Sequence, residues 1–174
     1  MPTAARERLL DAADRLFHAE GARAVGVERL LAESGVGRAS FYRHFPGKDD
    51  LVVAVLERRL ARWRSAFAAS VESRGGGVAA VFEELADQVV APGFRGCPAI
   101  NAIIEAADAG SATHALGAAH KEALVAWLTP LAGDEERARQ VLLLVDGALV
   151  TALREPGGAP VRRAAEIAAR LADL

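Results

Sequence analysis

Apolar residues recur along this chain at helical spacing, and glycine or proline breaks the pattern at intervals. The breakers are Gly21, Gly35-Val36-Gly37, Pro46-Gly47, Gly75-Gly76-Gly77, Pro92-Gly93, Gly110, Pro130 to Gly133 and Pro156-Gly157-Gly158. No segment alternates strictly between hairpin turns, so the pattern predicts helices and no strands. A first helix is expected over about 3–20, with Thr3 as N-cap, Gly21 just past the end, and Leu9, Ala13, Leu16 and Phe17 on one face. A short second helix, about 27–34, turns Val27, Leu30 and Leu31 inward and ends at Gly35. A third, about 38–45, is stopped by Pro46. The fourth begins near Lys48, places Asp49 and Asp50 at the positive end of its dipole, and meets no breaker until about Ser73. Further helices are expected near 77–91, 97–109, 111–130, 134–154 and 159–173.

The stretch Gly35 to Lys48 is the most informative. It turns on two glycines and then presents Arg38, Ser40, Tyr42, Arg43, His44 and Lys48 without one acid. A short helix, a tight turn and a second helix rich in cationic and hydrogen-bonding side chains is how a helix-turn-helix enters a major groove. The start of the third helix, opened by Gly37, would reach the bases. Arg38 can make a bidentate contact to guanine, Ser40 can bond a base edge, and Ala39 permits close approach and contact with a thymine methyl. Tyr42, His44 and Lys48 lie further along and suit phosphates. Phe41 and Phe45, four residues apart, are expected in the core.

Charge follows the same division. Residues 1–48 hold eight bases and six acids, a net of +2, whereas residues 49–174 hold thirteen bases and seventeen acids, a net of −4. A mildly basic head on an acidic body suits a chain that meets phosphate at one end. Cys97 is the single cysteine, so no intrachain disulfide can form. The first residues lack the apolar run of a signal peptide, and the longest apolar run, Val141 to Leu153, is too short to span a bilayer. A cytoplasmic protein without a membrane partner is expected.

From Gly21 to Leu51, the pattern Gly-Val-x-x-x-x-Phe-Tyr-x-His-Phe-x-x-Lys resembles the N-terminal domain of TetR-family transcriptional regulators. The resemblance covers roughly residues 5–55 and is carried above all by Phe41-Tyr42-Arg43-His44-Phe45-Pro46-Gly47-Lys48. It implies an all-α fold: a three-helix DNA reader, residues 1–47, on a helical ligand-binding and dimerisation domain, residues 48–174. It also implies that Arg38, Ala39, Ser40, Tyr42, His44 and Lys48 line the DNA, an inverted-repeat operator. Two positions depart from the pattern. Gly26 stands where relatives often carry Thr or Ser, and Leu31 where they tend to carry a small residue.

The helix around Val141 to Leu153 is apolar on most sides, interrupted by Asp146 and Thr151. A helix apolar nearly all round is buried all round, which in a chain of this size calls for a second copy. The resemblance points the same way, since such proteins pair through their last two long helices, here about residues 134–173. The segment Gly96-Cys97-Pro98 resembles a turn that opens a pocket-lining helix in one branch of the family. Asn101 and Glu105 follow on one face of that helix, as polar groups for a small effector, with Trp63, Phe67, Phe82, Cys97 and Trp127 as apolar wall. For the aromatic residues and Cys97 the alternative is ordinary core packing; for Asn101 it is a cap or a bond to neighbouring backbone, and for Glu105 a surface arginine.

No catalytic constellation, phosphate-binding loop or metal-ligand spacing is found, so no enzyme, cofactor or metal is expected. His114, His120 and Asp108 are poorly spaced for a metal, and Gly75-Gly76-Gly77 lacks the lysine of a phosphate loop. The expected function is a dimeric repressor released by a small, largely apolar effector. Activation, or DNA binding without an effector, are the alternatives.

Overall fold

The computed structural model describes residues 4–172 of the 174, and its helices are α1 (Ala4–Glu20), α2 (Val27–Ser34), α3 (Arg38–His44), α4 (Lys48–Ser73), α5 (Gly77–Val90), α6 (Pro98–Ala106), α7 (Ala112–Ala132), α8 (Glu135–Arg154) and α9 (Ala159–Ala172). No strand occurs among the described residues. Thr3, the expected first N-cap, lies outside them, as does Asp173 at the far end of the expected last helix.

The helices gather into two compact units. One takes the chain up to Ala61 together with Ala102–Gly117, and the other takes Arg62–Asn101 and the chain from Ala118 onward. Packing therefore divides within α4, fourteen residues beyond the expected boundary of roles at Gly47.

In the first unit α1 packs on α2 and α3. Leu9, Leu10, Ala13, Leu16, Val25, Leu30, Val36, Phe41, Phe45, Leu51 and Val55 form its core. The spacing explains the set: Phe41 and Phe45, or Leu51 and Val55, are one helical turn apart and fall on one face. Gly35 makes the turn between α2 and α3. It sits in the left-handed region at φ 62°, and its N–H donates to the Leu31 carbonyl at 3.0 Å, closing α2. Ser34, buried beside it, accepts from the Val36 N–H at 3.3 Å.

In the second unit α8 packs on α9 and both pack on α5. Asp134 caps α8 by accepting from the Arg137 N–H at 2.8 Å, and Glu135 and Glu136 occupy the first turn, where the dipole favours them. Val141, Leu142, Val145, Ala148, Leu149 and Ala152 point inward. The opposite side of α8 is not polar. Leu143 and Val150 are exposed, and Gly147 between them faces open space.

Two helices end elsewhere than expected. α6 stops at Ala106 and not near 109, because Ala107 adopts φ 56° and Asp108 then turns the chain, its carboxylate accepting from the Gly110 N–H at 2.9 Å. α7 runs through Pro130 to Ala132. Proline there removes one helical hydrogen bond and its ring crowds the preceding turn, a cost confined to the last turn of the helix.

Candidate nucleic-acid interface and cavity of the helical body

α3 is a seven-residue helix whose packing sets its outward face. At 3.6 residues per turn, Arg43 lies nearly opposite the Phe41 and Phe45 pair, flanked by Ala39 and Ser40. Phe41 is wholly buried, whereas Ala39 and Arg43 are exposed and Ser40 is half-buried. Arg43 donates to the Ser40 hydroxyl at 3.0 Å, and no carboxylate pairs with it among the described residues. Arg43 stood in the expected cationic stretch without an assigned contact, although a helical wheel centred on Phe41 and Phe45 already points at it.

The expected DNA contacts occupy several environments. Gly37 is the exposed N-cap of α3, extended at φ −68° and ψ 149°, with no side-chain cap, so the first N–H groups of α3 stay open to an anion. Arg38 is exposed but forms an ion pair with Glu28 of α2. Tyr42 is 49 % exposed and meets the buried Phe41 ring edge-on at 5.1 Å. His44 is half-buried.

Lys48 does not point outward as expected. Its ammonium donates to the carbonyls of Ala22 at 3.0 Å and Val25 at 3.2 Å, in the turn between α1 and α2. The long stem lets the charge reach back over the core, and the two carbonyls satisfy two of its three donors. On the same turn, the N–H of Arg23 donates to a carboxylate oxygen of Glu105 from α6. Gly21, at φ 85°, makes room for this contact, because a Cβ there would lie 3.1 Å from the same oxygen. Gly26 caps α2 in an extended conformation without a side-chain bond, and its departure from the expected Thr or Ser leaves that helix start open. Leu31 packs, partly buried, against the reader core.

The second unit contains a cavity of about 260 Å³, lined in part by Trp63, Gln88, Phe94, Cys97, His120 and Lys121. Of the expected effector-site residues, Trp63 and Cys97 border it. Phe67 lies behind, stacked on Trp63 at 4.6 Å, and Trp127 meets Phe67 edge-on at 5.8 Å. Phe82 instead borders a separate apolar groove of about 720 Å³ between α5, the end of α7 and α9. Asn101 and Glu105 do not converge on the cavity. Asn101 donates to the Arg95 carbonyl at 2.7 Å, and Glu105 bonds Arg23 as described. Asn101 thus bonds neighbouring backbone, its alternative reading, and Glu105 meets an arginine, through the backbone N–H.

His120 and Lys121 were not expected at the cavity. His120 is 2 % exposed, and its Nδ1 has no hydrogen-bond partner. It takes the place of an apolar residue in the buried row His120, Leu124 and Leu128 of α7. Burial, and then the charges of Lys121 and Arg64, push its pKa from the usual 6.5 down to about 4, so the ring is neutral at pH 7. Lys121 pairs with Asp146 at 2.5 Å and approaches the Cys97 sulfur at 3.5 Å. No group of three metal-binding side chains occurs among the described residues, and no helix there is long and apolar enough to cross a membrane.

This chain is similar to known regulators at both scales. A family model described as bacterial regulatory proteins, tetR family, matches residues 9–55. The crystal structure of a TetR-family transcriptional regulator from Streptomyces coelicolor superposes with a TM-score of 0.89 at 32% sequence identity, covering 99% of this chain and 90% of that one. A helix-turn-helix transcriptional regulator of Lactococcus lactis is 25% identical over 105 residues, 58% of this chain and 54% of that protein. Another from Staphylococcus aureus is 38% identical over 55 residues, 32% of this chain and 30% of its own. The chain thus spans about half or less of the length of these two relatives.

Proposed function

Since this chain belongs to the TetR family of transcriptional regulators, we propose that it is a ligand-responsive repressor that binds a palindromic operator as a homodimer. The observation that carries this is the outward face of α3, where Arg43, Ala39 and Ser40 stand opposite the buried Phe41 and Phe45. A small residue between a guanidinium and a hydroxyl lets the helix come close to base edges and bond them. Gly37, Arg38, Tyr42 and His44 surround that face, as groups for neighbouring phosphates and bases. Lys48 contributes its charge and its third donor while bracing the turn before α2. In this reading residues 1–47 carry the DNA-binding role and residues 48–174 the effector-binding and pairing roles, in the cytoplasm. Nothing in the site calls for catalysis.

Pairing uses the outer faces of α8 and α9. Leu143 is 74 % exposed, Val150 52 % and Ile167 47 %, with Gly147 between the first two. Large apolar side chains around a glycine permit close approach of a second α8, and a two-fold dimer matches a two-fold operator.

The effector enters the cavity beside Trp63. It acts only by binding the two states of the dimer with different affinity. α4 carries both Lys48 and Trp63 without a breaker, so a shift at its second half reaches the reader through one continuous helix. An anisotropy titration on an operator site selected from random DNA tests the reading. Two protomers per site, with release by a cavity ligand at fixed salt, are expected. One protomer per site, or affinity that no cavity ligand changes, would overturn the repressor mechanism.

A further inference from the structure

The sequence from Gly35 to Lys48 carries no acid, yet the fold sets one beside it. Glu28, in the first turn of α2, pairs with Arg38, the first residue of α3. Glu7, Asp11, Asp14, Glu20 and Glu33 turn elsewhere and pair with arginines of α1, α2 and α4. A helix-turn-helix sets the start of its second helix against base edges and runs its first helix across the backbone. A carboxylate bonded to Arg38 therefore stands where the reader meets DNA, and its charge opposes phosphate whatever the sequence. The ion pair does not cancel that cost. The side chain of Glu28 is 73 % exposed and that of Arg38 60 %, so the pair is weak in water, and Arg38 leaves it to reach a phosphate or a base.

We propose that Glu28 is a specificity-determining residue, which accepts a hydrogen bond from a cytosine N4 amino group in each half-site and penalises sites without one. The proposal rests on the reading of α3 as a DNA reader and adds a residue outside α3 and the base it selects. Gly26 and Val27 bring no polar side chain to the start of α2, so Glu28 is the first group of that helix able to bond DNA. An ionised carboxylate accepts and cannot donate. The major groove offers it donors only as exocyclic amines, on cytosine N4 and adenine N6. Adenine sets its N7 acceptor beside the amine and repels a carboxylate, whereas cytosine sets a C–H there. The acid thus works by exclusion as much as by attraction. Every DNA pays for its charge, and a site with the amine regains a charge-assisted hydrogen bond.

Selection from a random DNA pool with the full-length parent, Glu28→Ala and Glu28→Gln, followed by titration of single-site duplexes, tests this. The parent should recover an inverted repeat with a cytosine in each half-site that the alanine variant no longer requires. Thymine in its place puts an acceptor where the amine was. That change should weaken the parent at least about tenfold and Glu28→Ala less than about twofold. Glu28→Gln removes the charge at nearly unchanged shape, and should bind random DNA about threefold or more tightly than the parent. Such a gain cannot come from a loss of fold. In an Arg38→Ala background the cytosine should still be preferred, which separates direct reading from a role confined to holding Arg38. A repeat unchanged by Glu28→Ala, random-DNA affinity that Glu28→Gln leaves equal or lowers, or a cytosine preference abolished by Arg38→Ala alone would overturn the proposal. Each of those results leaves the inverted repeat, and with it the regulator reading, standing. Recovery of no repeat by the parent would overturn both.

Discussion

The carboxylate of Glu105, near the end of α6, accepts the backbone N–H of Arg23 in the turn that precedes α2. Lys48 holds the same turn through the carbonyls of Ala22 and Val25. Residues 21–25 are therefore fixed by two side chains distant in sequence, and the entry angle of α2 depends on both. Glu105→Ala should leave the core intact but free the turn. The Arg23 amide should exchange with deuterium about fivefold or more faster, as expected for a partly exposed bond worth about 1 kcal/mol. Unchanged exchange would show that the bond does not constrain the turn.

Lys48→Met keeps the apolar stem and removes two hydrogen bonds. It should destabilise the reader by about 1–3 kcal/mol, because two carbonyls lose their charged donor. Urea denaturation followed by circular dichroism measures this. A variant as stable as the parent would return Lys48 to a role at the DNA alone.

Arg43 and Arg38 should separate in their effects on DNA. Arg43→Ala should cost about 1–3 kcal/mol on the selected site and little on random DNA, the behaviour of a base contact. Arg38 must first part from Glu28. If Arg38 makes a phosphate contact, Arg38→Ala should weaken both DNAs alike and lower the salt dependence. Competition titrations at two salt concentrations distinguish the cases.

Leu143→Glu places a charge at the most exposed large apolar residue of α8. Sedimentation should show the parent as a dimer and the variant as a monomer, with operator affinity reduced at least about tenfold, since the two half-sites are no longer bound together. A dimeric variant would move the pairing surface off this face.

His120 sets a pH dependence with a definite sign. Its folded pKa is about 4 against an ordinary value of 6.5, so the unfolded chain binds the extra proton between those values. The contribution to stability is constant above about pH 6.5 and is lost progressively as pH falls toward 4, by about 3 kcal/mol at most. His120→Phe should flatten that part of the curve in denaturation series from pH 7 to 4.5. Parallel curves for parent and variant would mean that His120 titrates normally.

Much of the fold was legible because its signals are local. Gly35 ends α2 through its own left-handed backbone, and Asp134 caps α8 three residues ahead. Phe41 and Phe45 declare their face by spacing alone. The end of α6 was not legible, since Ala107 takes a conformation that composition assigns to glycine. Nor were the partners of Lys48 and Glu105. Each bonds a backbone group distant in sequence, and which one it reaches depends on how helices pack, a relation no short window contains; the bond of Asn101, six residues back to Arg95, is local. His120 was visible only as a poor metal ligand, although its place in a buried apolar row already set it apart.

Selection of bound sequences from a random DNA pool, with purified protein at a stated salt concentration, tests the central claim most directly. The account predicts recovery of an inverted repeat, lost when Arg43 is replaced by alanine. Recovery of no sequence above background by folded protein, or of a pool unaffected by that replacement, would contradict it.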